Sequence, residues 1–278
     1  MAQHLPHTTP IALTIAGSDS GGGAGIQADL KTFSALGAYG CSVITALTAQ
    51  NTQGVQGIFD VTPEFIRAQM DSVFSDISVK AVKVGMLSQA SVIHAVVEGL
   101  KNQTELLVVD PVMVATSGDK LLQDDAIAAL KESLIPMATV ITPNLPEATV
   151  LLNQPVPQSM EEMEAMIEPL LALGSRSVLL KGGHLCNSEH GGEESVDLFH
   201  DGKALHRLTS PRYHTENTHG TGCTLSSAIT ALLARGFELH AAVDYAKRYI
   251  ANAIAHADEL KIGHGHGPVH HFADLWRH

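Results

Sequence analysis

The chain has 278 residues, 45% of them hydrophobic and 17% charged, which is the composition of a globular protein and not of a disordered one. Its net charge of −12 argues against nucleic acid as the main partner, because a phosphate backbone requires a basic surface. No apolar run approaches the length of a membrane span, and residues 1–10 lack the apolar core of a signal peptide. We therefore expect one domain over residues 1–278, with a flexible N-terminus at 1–10 and no membrane partner.

The cysteines and histidines give weaker signals. Cys41, Cys186 and Cys223 form neither a paired framework nor a Cys-x-x-Cys motif, which favours a reduced, cytoplasmic location. Several of the 16 histidines lie in the tail GHGHGPVHH, where they are either metal ligands or ordinary polar loop residues. The loop interpretation is favoured because the set lacks the spacing of a known zinc site.

The first strand and the loop after it contain the first candidate site residues. Ile11–Ala16 is a short run of β-formers, which predicts a buried strand. A glycine-rich loop from Gly17 to Gly25 follows, and it is not a Walker A motif because no Gly-Lys-Ser/Thr completes it. The predicted helix Ile26–Leu36 contains Asp29, which either favours the helix dipole or faces the loop as a ligand contact.

A second buried strand is predicted over Cys41–Thr48, with Gln50 just past its end. Ligands bind at the carboxyl edge of open α/β sheets, so Gln50 is either a hydrogen-bonding partner for a flat heterocycle or a simple turn residue. A strand at Ala81–Val84 leads into Met86, which either lines the site or belongs to the core.

Three further predicted strands each end in a polar candidate. The strand Leu106–Val109 ends at Asp110, an acid that is costly to bury unpaired and that we expect to face a metal or a ligand. Asn144 follows the strand Ala138–Ile141, and the strand Ser177–Leu180 ends at Lys181, a candidate phosphate contact beside two glycines.

Asn144 and Glu147 have two interpretations that the sequence leaves open. Three residues apart across a helix start, they are either a helix N-cap with an acidic first turn or oxygen ligands of a magnesium–phosphate complex. Further helices are predicted at Thr62–Phe74, Ser88–Leu100, Asp124–Leu134, Met160–Leu173, Gly222–Arg235 and Leu239–Leu260, and a hairpin at Ser195–Phe199 and Ala204–Leu208.

The segment Asn217–Thr224 contains the most informative motif. A Gly220-Thr221-Gly222 turn that opens a helix presents unpaired N–H groups at the positive end of the helix dipole, and this geometry binds anions such as phosphate. Cys223 lies in the first turn, where the dipole is expected to lower the pKa of its thiol, so that it acts as a base or lines the site.

Strands alternate with helices almost throughout, which predicts an α/β fold with a mostly parallel central sheet and helices on both faces. The candidate residues follow strand ends, so we expect them to converge on one edge of that sheet.

The ordered set of motifs resembles the hydroxymethylpyrimidine/phosphomethylpyrimidine kinases of thiamine biosynthesis, which are ribokinase-like three-layer sandwiches. The motifs are AGSDS with GGAGIQAD, TALTAQN, GM, DPVM, TPNLPE, KGGH, NTHGTGC and the histidine-containing tail. The resemblance covers nearly the whole chain, and it explains the histidines better than metal binding does.

The resemblance implies an ATP- and Mg²⁺-dependent kinase that phosphorylates 4-amino-5-hydroxymethyl-2-methylpyrimidine and then its monophosphate. By matching position, the substrate pocket comprises Gln50, Asp29, Gly17, Met86 and Val112. The nucleotide contacts are Lys181, Asn144 and Thr218, and the metal residues are Asp110 and Glu147. The catalytic group comprises Cys223, Lys181 and an anion hole at Gly220, Thr221 and Gly222. Family members are commonly homodimers.

Two residues depart from the wider pattern, and two alternative functions remain. Most ribokinase-like kinases have an aspartate base at the position of Cys223, whereas the pyrimidine kinases have cysteine there, as this chain does. Gly21 stands where relatives often have serine. The alternatives are a pyridoxal kinase of the same fold and a non-catalytic pyrimidine sensor. Gln50 favours the aminopyrimidine, and retention of the phosphate-site residues disfavours the sensor.

Overall fold

The computed structural model describes residues 8–113, 122, 124–183, 185 and 193–276. Its strands are β1 Ile11–Ala16, β2 Tyr39–Ile44, β3 Ala46–Asn51, β4 Gly54–Asp60, β5 Ala81–Val84, β6 Leu107–Val109, β7 Val140–Ile141, β8 Val178–Leu180, β9 Glu194–His200 and β10 Leu205–Pro211. Its helices are α1 Gly25–Ala35, α2 Pro63–Asp76, α3 Ala90–Leu100, α4 Asp124–Ala129, α5 Leu145–Leu152, α6 Met160–Ala165, α7 Ile167–Leu171, α8 Thr221–Ala234 and α9 Leu239–Ala255. None of these described helices has the length and hydrophobicity that a membrane crossing requires.

The central sheet has eight strands in the order β10-β9-β8-β7-β6-β5-β1-β2. The six strands from β8 to β2 run parallel, whereas β9 is antiparallel to both β8 and β10. The predicted hairpin at the end of the sheet is therefore confirmed, with Leu205 opposite His200.

Two hydrophobic cores lie on opposite faces of this sheet, and alternate residues of one strand contribute to each. In β6, Leu107 and Val109 belong to the core that also contains residues of α2 to α7, whereas Val108 belongs to the core with α1, α8 and α9. The chain thus forms three layers, and the predicted α/β sandwich with helices on both faces is confirmed.

The prediction of one strand over Cys41–Thr48 is wrong. The chain leaves the central sheet at Thr45, whose N–H still bonds the carbonyl of Ala16, and then forms β3, which pairs with β4 in a separate antiparallel hairpin. Gln50 consequently lies on this hairpin and not at the tip of a central strand.

Sheet topology places a crevice beside β1. The chain passes from β1 to β2 on one side and returns through α2 to β5 on the other side of β1. At such a reversal of strand order the loops diverge, and ligands bind at the carboxyl ends of the strands.

Candidate active site

The carboxyl ends of the parallel strands carry most of the predicted site residues. Gly17 follows β1, Met86 follows β5, Asp110 follows β6, Asn144 follows β7 and Lys181 follows β8. Because these strands are parallel neighbours, the residues lie along one edge of the sheet, as the sequence predicted.

Lys181 lies between two carboxylates. Its Nζ donates to Asp110 Oδ1 at 3.1 Å and lies 3.8 Å from Glu147 Oε2. Asp110 also accepts bonds from the hydroxyl groups of Thr142 and Ser226. Burial opposes the charges of both Asp110 and Lys181, but the neighbouring charges and hydrogen bonds together outweigh it, so the pKa of Asp110 is lowered and that of Lys181 is raised. The ammonium group therefore stays charged throughout the neutral range.

Asn144 and Glu147 form a capping box at the start of α5. The Glu147 N–H donates to Asn144 Oδ1 and the Asn144 N–H donates to Glu147 Oε2, both at 2.8 Å. The N-cap interpretation is thus confirmed, and the same pair places the Glu147 carboxylate beside Lys181. Burial, aided by the Asp110 charge, raises the pKa of Glu147 to about 7.

The raised pKa implies that the buried Glu147 charge lowers the folding stability of the wild type, and Glu147→Gln tests this. A glutamine retains the capping acceptor without the buried charge. Below pH 4.5, the ordinary pKa of a glutamic acid, Glu147 is neutral in both the folded and the unfolded protein. As the pH rises from 4.5 to about 7, Glu147 ionises in the unfolded protein but not yet in the folded one, so the wild type loses folding stability. We expect the variant to be more stable by about 1 to 3 kcal/mol at pH 8 and by nothing near pH 4. Urea unfolding at both pH values measures this, and an equal difference at both would contradict it.

The N-terminus of α8 presents amide groups toward this cluster. Gly220 is the N-cap with φ 81°, and a Cβ there would lie only 1.8 Å from the Gly23 carbonyl oxygen, so only glycine fits. The Thr221 N–H already donates to the Thr218 carbonyl. The Thr224 N–H bonds the Gly220 carbonyl, and in the described part of the chain no backbone acceptor takes the N–H groups of Gly220, Gly222 and Cys223. The anion hole of Gly220, Thr221 and Gly222 stays a prediction, in which the Thr221 amide is already bonded.

Gly222 connects the helix start to the charged cluster. A Cβ on Gly222 would lie 3.3 Å from Lys181 Nζ and 3.6 Å from Asp110 Oδ2. The amides, the lysine and the carboxylate therefore surround one small volume. Thr218 lies in the turn before α8, where its carbonyl accepts bonds from both the N–H and the hydroxyl of Thr221.

The expectation of a lowered pKa for Cys223 is wrong. Burial raises the pKa of its thiol to about 11, although the nearby Lys83 ammonium acts in the opposite direction. The helix dipole is visible in the sequence, but the desolvation that outweighs it is not. Cys223 is therefore a neutral thiol at pH 7, and its catalytic role remains a prediction.

Cys223→Ala tests whether this thiol acts as a base. A general base contributes about 100-fold or more to a rate, whereas phosphoryl transfer through a loose transition state needs little proton abstraction. We expect kcat to fall by about three- to tenfold, and the shape of the pH–rate profile between pH 6 and 9 to remain that of the wild type. Cys41→Ala, at the other free thiol among the described residues, is the control. A loss above 100-fold with a changed profile would restore the base assignment.

Asp29 lies beneath the site and its side chain is fully buried. Its two oxygens accept bonds from Lys83 at 2.8 Å and from the hydroxyl groups of Thr14 and Ser227 at 2.6 Å. These partners join α1 to β1, β5 and α8, and the contact of Asp29 with substrate stays a prediction. Lys83, also fully buried, is a residue that the sequence analysis missed.

The remaining predicted substrate residues fall into two groups. Gly17 contacts Met86, since a Cβ on Gly17 would lie 2.4 Å from Met86 Cε. Gln50 Nε2 lies 3.4 Å from His219 Nε2, and Gln50 Oε1 accepts a bond from the Thr48 hydroxyl. Val112 is partly buried, immediately after the buried Asp110-Pro111.

Asp19 and His219, both unassigned from the sequence, join the glycine-rich loop to α8. The Asp19 carboxylate accepts the N–H groups of Gly21, Gly23 and Ala24 and lies 2.8 Å from His219 Nε2. Burial opposes its charge, but the bonds with His219 and the amides lower its pKa. The amides of Gly21, Gly23 and Ala24 are thus already bonded within the loop.

The C-terminal segment around Gly267 contacts both the turn before α8 and the β3–β4 turn. The His219 N–H donates to the Gly267 carbonyl, and the His266 N–H donates to the Thr52 carbonyl in the β3–β4 turn. His271 is buried, with Nε2 3.0 Å from the Thr224 hydroxyl, and burial lowers its pKa to about 3. In the described part of the chain, no group of three or more His, Cys, Asp or Glu side chains has a metal-binding arrangement.

A mostly parallel sheet between two helix layers, a glycine-containing helix N-terminus and an adjoining lysine–carboxylate cluster define a small-molecule kinase of the ribokinase-like class. The family model for phosphomethylpyrimidine kinase matches residues 19–270, and the chain belongs to this family.

Individual relatives agree with this assignment. The hydroxymethylpyrimidine/phosphomethylpyrimidine kinase of Rhizobium meliloti is 57% identical over 97% of this chain and 99% of its own. The phosphomethylpyrimidine kinase structure from Clostridium difficile is 46% identical, covers 89% of this chain and 100% of its own, and has a TM-score of 0.77. An ADP complex of Bacillus subtilis pyridoxal kinase is 38% identical, covers 97% of this chain and 100% of its own, and has a TM-score of 0.87.

Proposed function

We propose that this enzyme transfers the terminal phosphoryl group of ATP to the hydroxymethyl group of 4-amino-5-hydroxymethyl-2-methylpyrimidine and then to the resulting monophosphate. The observation that carries the proposal is the position of Lys181 Nζ and Asp110 Oδ2 beside Gly222, in the first turn of α8. Phosphoryl transfer needs positioning and stabilisation of charge more than covalent chemistry, and this cluster supplies both.

The charges in the site suggest where ATP and the pyrimidine bind. Lys181 contacts the phosphates of ATP, with Asn144 and Thr218 nearby, and the α8 amides hold the phosphoryl group that moves. Gly17, Met86, Gln50 and Val112 hold the pyrimidine. These assignments rest on the placement of the residues along one sheet edge and on the hairpin beside it.

We propose Mg²⁺ as the metal that accompanies ATP. Carboxylate oxygens beside phosphates are the ligands that Mg²⁺ prefers, and Asp110 and Glu147 are the carboxylates of the cluster. The metal would neutralise charge on the phosphates. Lys181 already pairs with both carboxylates, so the two acids are held in place before any metal binds.

Gln50 is the residue that favours an aminopyrimidine over pyridoxal. Its amide offers both a donor and an acceptor, which match an exocyclic amino group and an adjacent ring nitrogen. Fold alone does not discriminate, because a pyridoxal kinase superimposes with a TM-score of 0.87. The identity of 57% to a hydroxymethylpyrimidine/phosphomethylpyrimidine kinase supports the pyrimidine.

Mass analysis of products tests this function. The protein is incubated with ATP, Mg²⁺ and either the pyrimidine alcohol or pyridoxal. We expect the pyrimidine to gain one and then two phosphoryl groups, with a higher kcat/KM than pyridoxal. Preferential phosphorylation of pyridoxal, or no transfer to the pyrimidine, would contradict the proposal.

We also propose that the protein is a homodimer whose β3–β4 hairpins contact each other. Cross-strand partners Leu47 and Phe59 are 46% and 71% exposed on one face of a two-stranded sheet, which is marginally stable without further cover. Light scattering should show a dimer for the wild type and a monomer for Phe59→Glu. A monomeric wild type would contradict this.

We further propose that residues 1–278 form one domain and that the enzyme works in the cytoplasm. The central sheet draws strands from Ile11 to Pro211, which supports a single unit. Cys41 and Cys223 are free thiols, which suits a reduced compartment.

A further inference from the structure

A further buried ion pair lies behind the active site, on the side of the antiparallel strands. Lys247 of α9 donates from Nζ to Asp197 Oδ2 of β9 at 2.7 Å. The two residues are only 7% and 4% exposed. A buried ion pair gives little net stability compared with apolar residues of similar size, so its presence calls for another reason.

The other oxygen of Asp197 is bound to the backbone of the active-site loop. The Gly182 N–H donates to Asp197 Oδ1 at 3.0 Å. The β8–β9 ladder ends at Leu180 opposite Leu198, so the next position on β9 is Asp197, opposite Lys181. Just beyond the last regular pair of β8 and β9, the Asp197 carboxylate thus accepts the hydrogen bond from the Gly182 N–H.

Gly182 is held closely at this point. A Cβ on Gly182 would lie 2.1 Å from the Val196 carbonyl oxygen, so only glycine allows the backbone to approach β9. On the other side, the Lys181 N–H donates to the Pro143 carbonyl at 2.9 Å. The peptides on both sides of the Lys181 Cα are therefore fixed: the Leu180–Lys181 peptide by the Pro143 carbonyl and the Lys181–Gly182 peptide by Asp197.

We propose that Asp197, oriented by Lys247, is a positioning residue that fixes the Lys181–Gly182 peptide and thereby the place of the Lys181 ammonium group. The chain of contacts runs from α9 through Lys247, Asp197 and the Gly182 amide to Lys181. It ends at the carboxylate of Asp110, 3.1 Å from Lys181 Nζ. The inference rests on the proposed function, in which Lys181 contacts the phosphates of ATP.

Two double variants separate the hydrogen-bond acceptor from the ion pair. Asp197→Asn with Lys247→Met removes both charges but keeps an oxygen that accepts the Gly182 N–H. Asp197→Leu with Lys247→Met removes both charges and the acceptor, in an apolar form that proteins often tolerate. Arg248→Met, which removes an exposed cation from the same helix, is the matched control.

Steady-state kinetics with ATP and the pyrimidine alcohol give the readout. We expect the Asn/Met pair to stay within about threefold of the wild type, and the Leu/Met pair to lose about tenfold or more in kcat/KM for ATP, because small displacements of a positioning group cost this much. The KM for the pyrimidine should not change. If the Leu/Met protein does not fold, Asp197→Ala with Lys247→Met, which also removes both charges and the acceptor, should show the same kinetic loss.

Three results would overturn the proposal. They are a folded Leu/Met or Ala variant with wild-type kinetics, an Asn/Met variant that loses as much as Leu/Met, and loss of folding in both acceptor-free variants, which would make the pair a folding requirement alone. The wild type in the same assay keeps the two proposals apart: if it transfers no phosphate to the pyrimidine, the proposed function has failed, whatever the variants do.

Discussion

Replacing Gly222 by valine should reduce kcat by about a thousandfold while the dissociation constant of the pyrimidine alcohol changes by less than about threefold. Gly222 does not have a positive φ, so valine is not strained by the backbone. A Cβ there would lie 3.3 Å from Lys181 Nζ, and the two methyl groups beyond it would enter the volume between the α8 amides and the lysine. The loss therefore reports on the space for phosphate and not on helix formation.

Gly222→Ala provides the graded control. Its single methyl group would lie 3.3 Å from Lys181 Nζ and at ordinary contact distance from Asp110 Oδ2, so we expect a smaller loss of about tenfold. Isothermal titration with the pyrimidine alcohol and thermal unfolding show whether the rest of the site is intact. A valine variant whose kcat stays within tenfold of the wild type would place the transferred phosphoryl group away from α8.

The strand ends and their convergence were predictable from local patterns. Short runs of β-formers that stop at glycine, proline or a polar residue mark buried parallel strands, and parallel strands bring their carboxyl ends to one edge. For that reason Asp110 and Lys181, which are 71 residues apart in the sequence, were expected together, and they lie 3.1 Å apart.

The hairpin was not predictable in the same way. CSVITALT is a continuous run of β-formers without a turn signal, yet the chain bends at Thr45, and the second half pairs with β4 outside the main sheet. Tertiary pairing decided this break, since periodicity alone does not distinguish one long strand from two short ones. The sequence placed Gln50 just past the end of a central strand, whereas it lies in β3 of the separate hairpin.

The pairing of buried charged residues was the other feature that the sequence did not predict. Lys83 stands in the apolar strand AVKV, which was a signal that a partner must exist, but nothing in the local pattern identifies Asp29, 54 residues away. The same limit explains Cys223, whose helix position was evident and whose desolvation was not. Pairing and burial depend on the packed structure, so they are visible only there.

Lys181→Met should lower kcat/KM for ATP by about 100- to 1,000-fold and leave the KM for the pyrimidine unchanged. Methionine fills a similar volume but carries no charge to stabilise the transferring phosphoryl group. Lys181 is only 15% exposed at its side chain and its pKa is raised, so the wild-type charge persists and a large loss is expected at both pH 6 and pH 9. Between these values the size of the loss changes only through Glu147, whose pKa is about 7. Lys181→Arg, which keeps the charge in a broader group, should recover part of the rate.

A double-mutant cycle with Glu147→Gln separates the catalytic effect of Lys181 from its electrostatic role in the fold. Without Lys181, the charges of Asp110 and Glu147 repel each other, so Lys181→Met should destabilise the wild type more than it destabilises the Glu147→Gln protein. The rate loss, in contrast, should persist in the double variant, because the phosphate still lacks its cation. If the double variant regained both stability and rate, Lys181 would serve only to neutralise the carboxylates, and its contact with phosphate would be refuted.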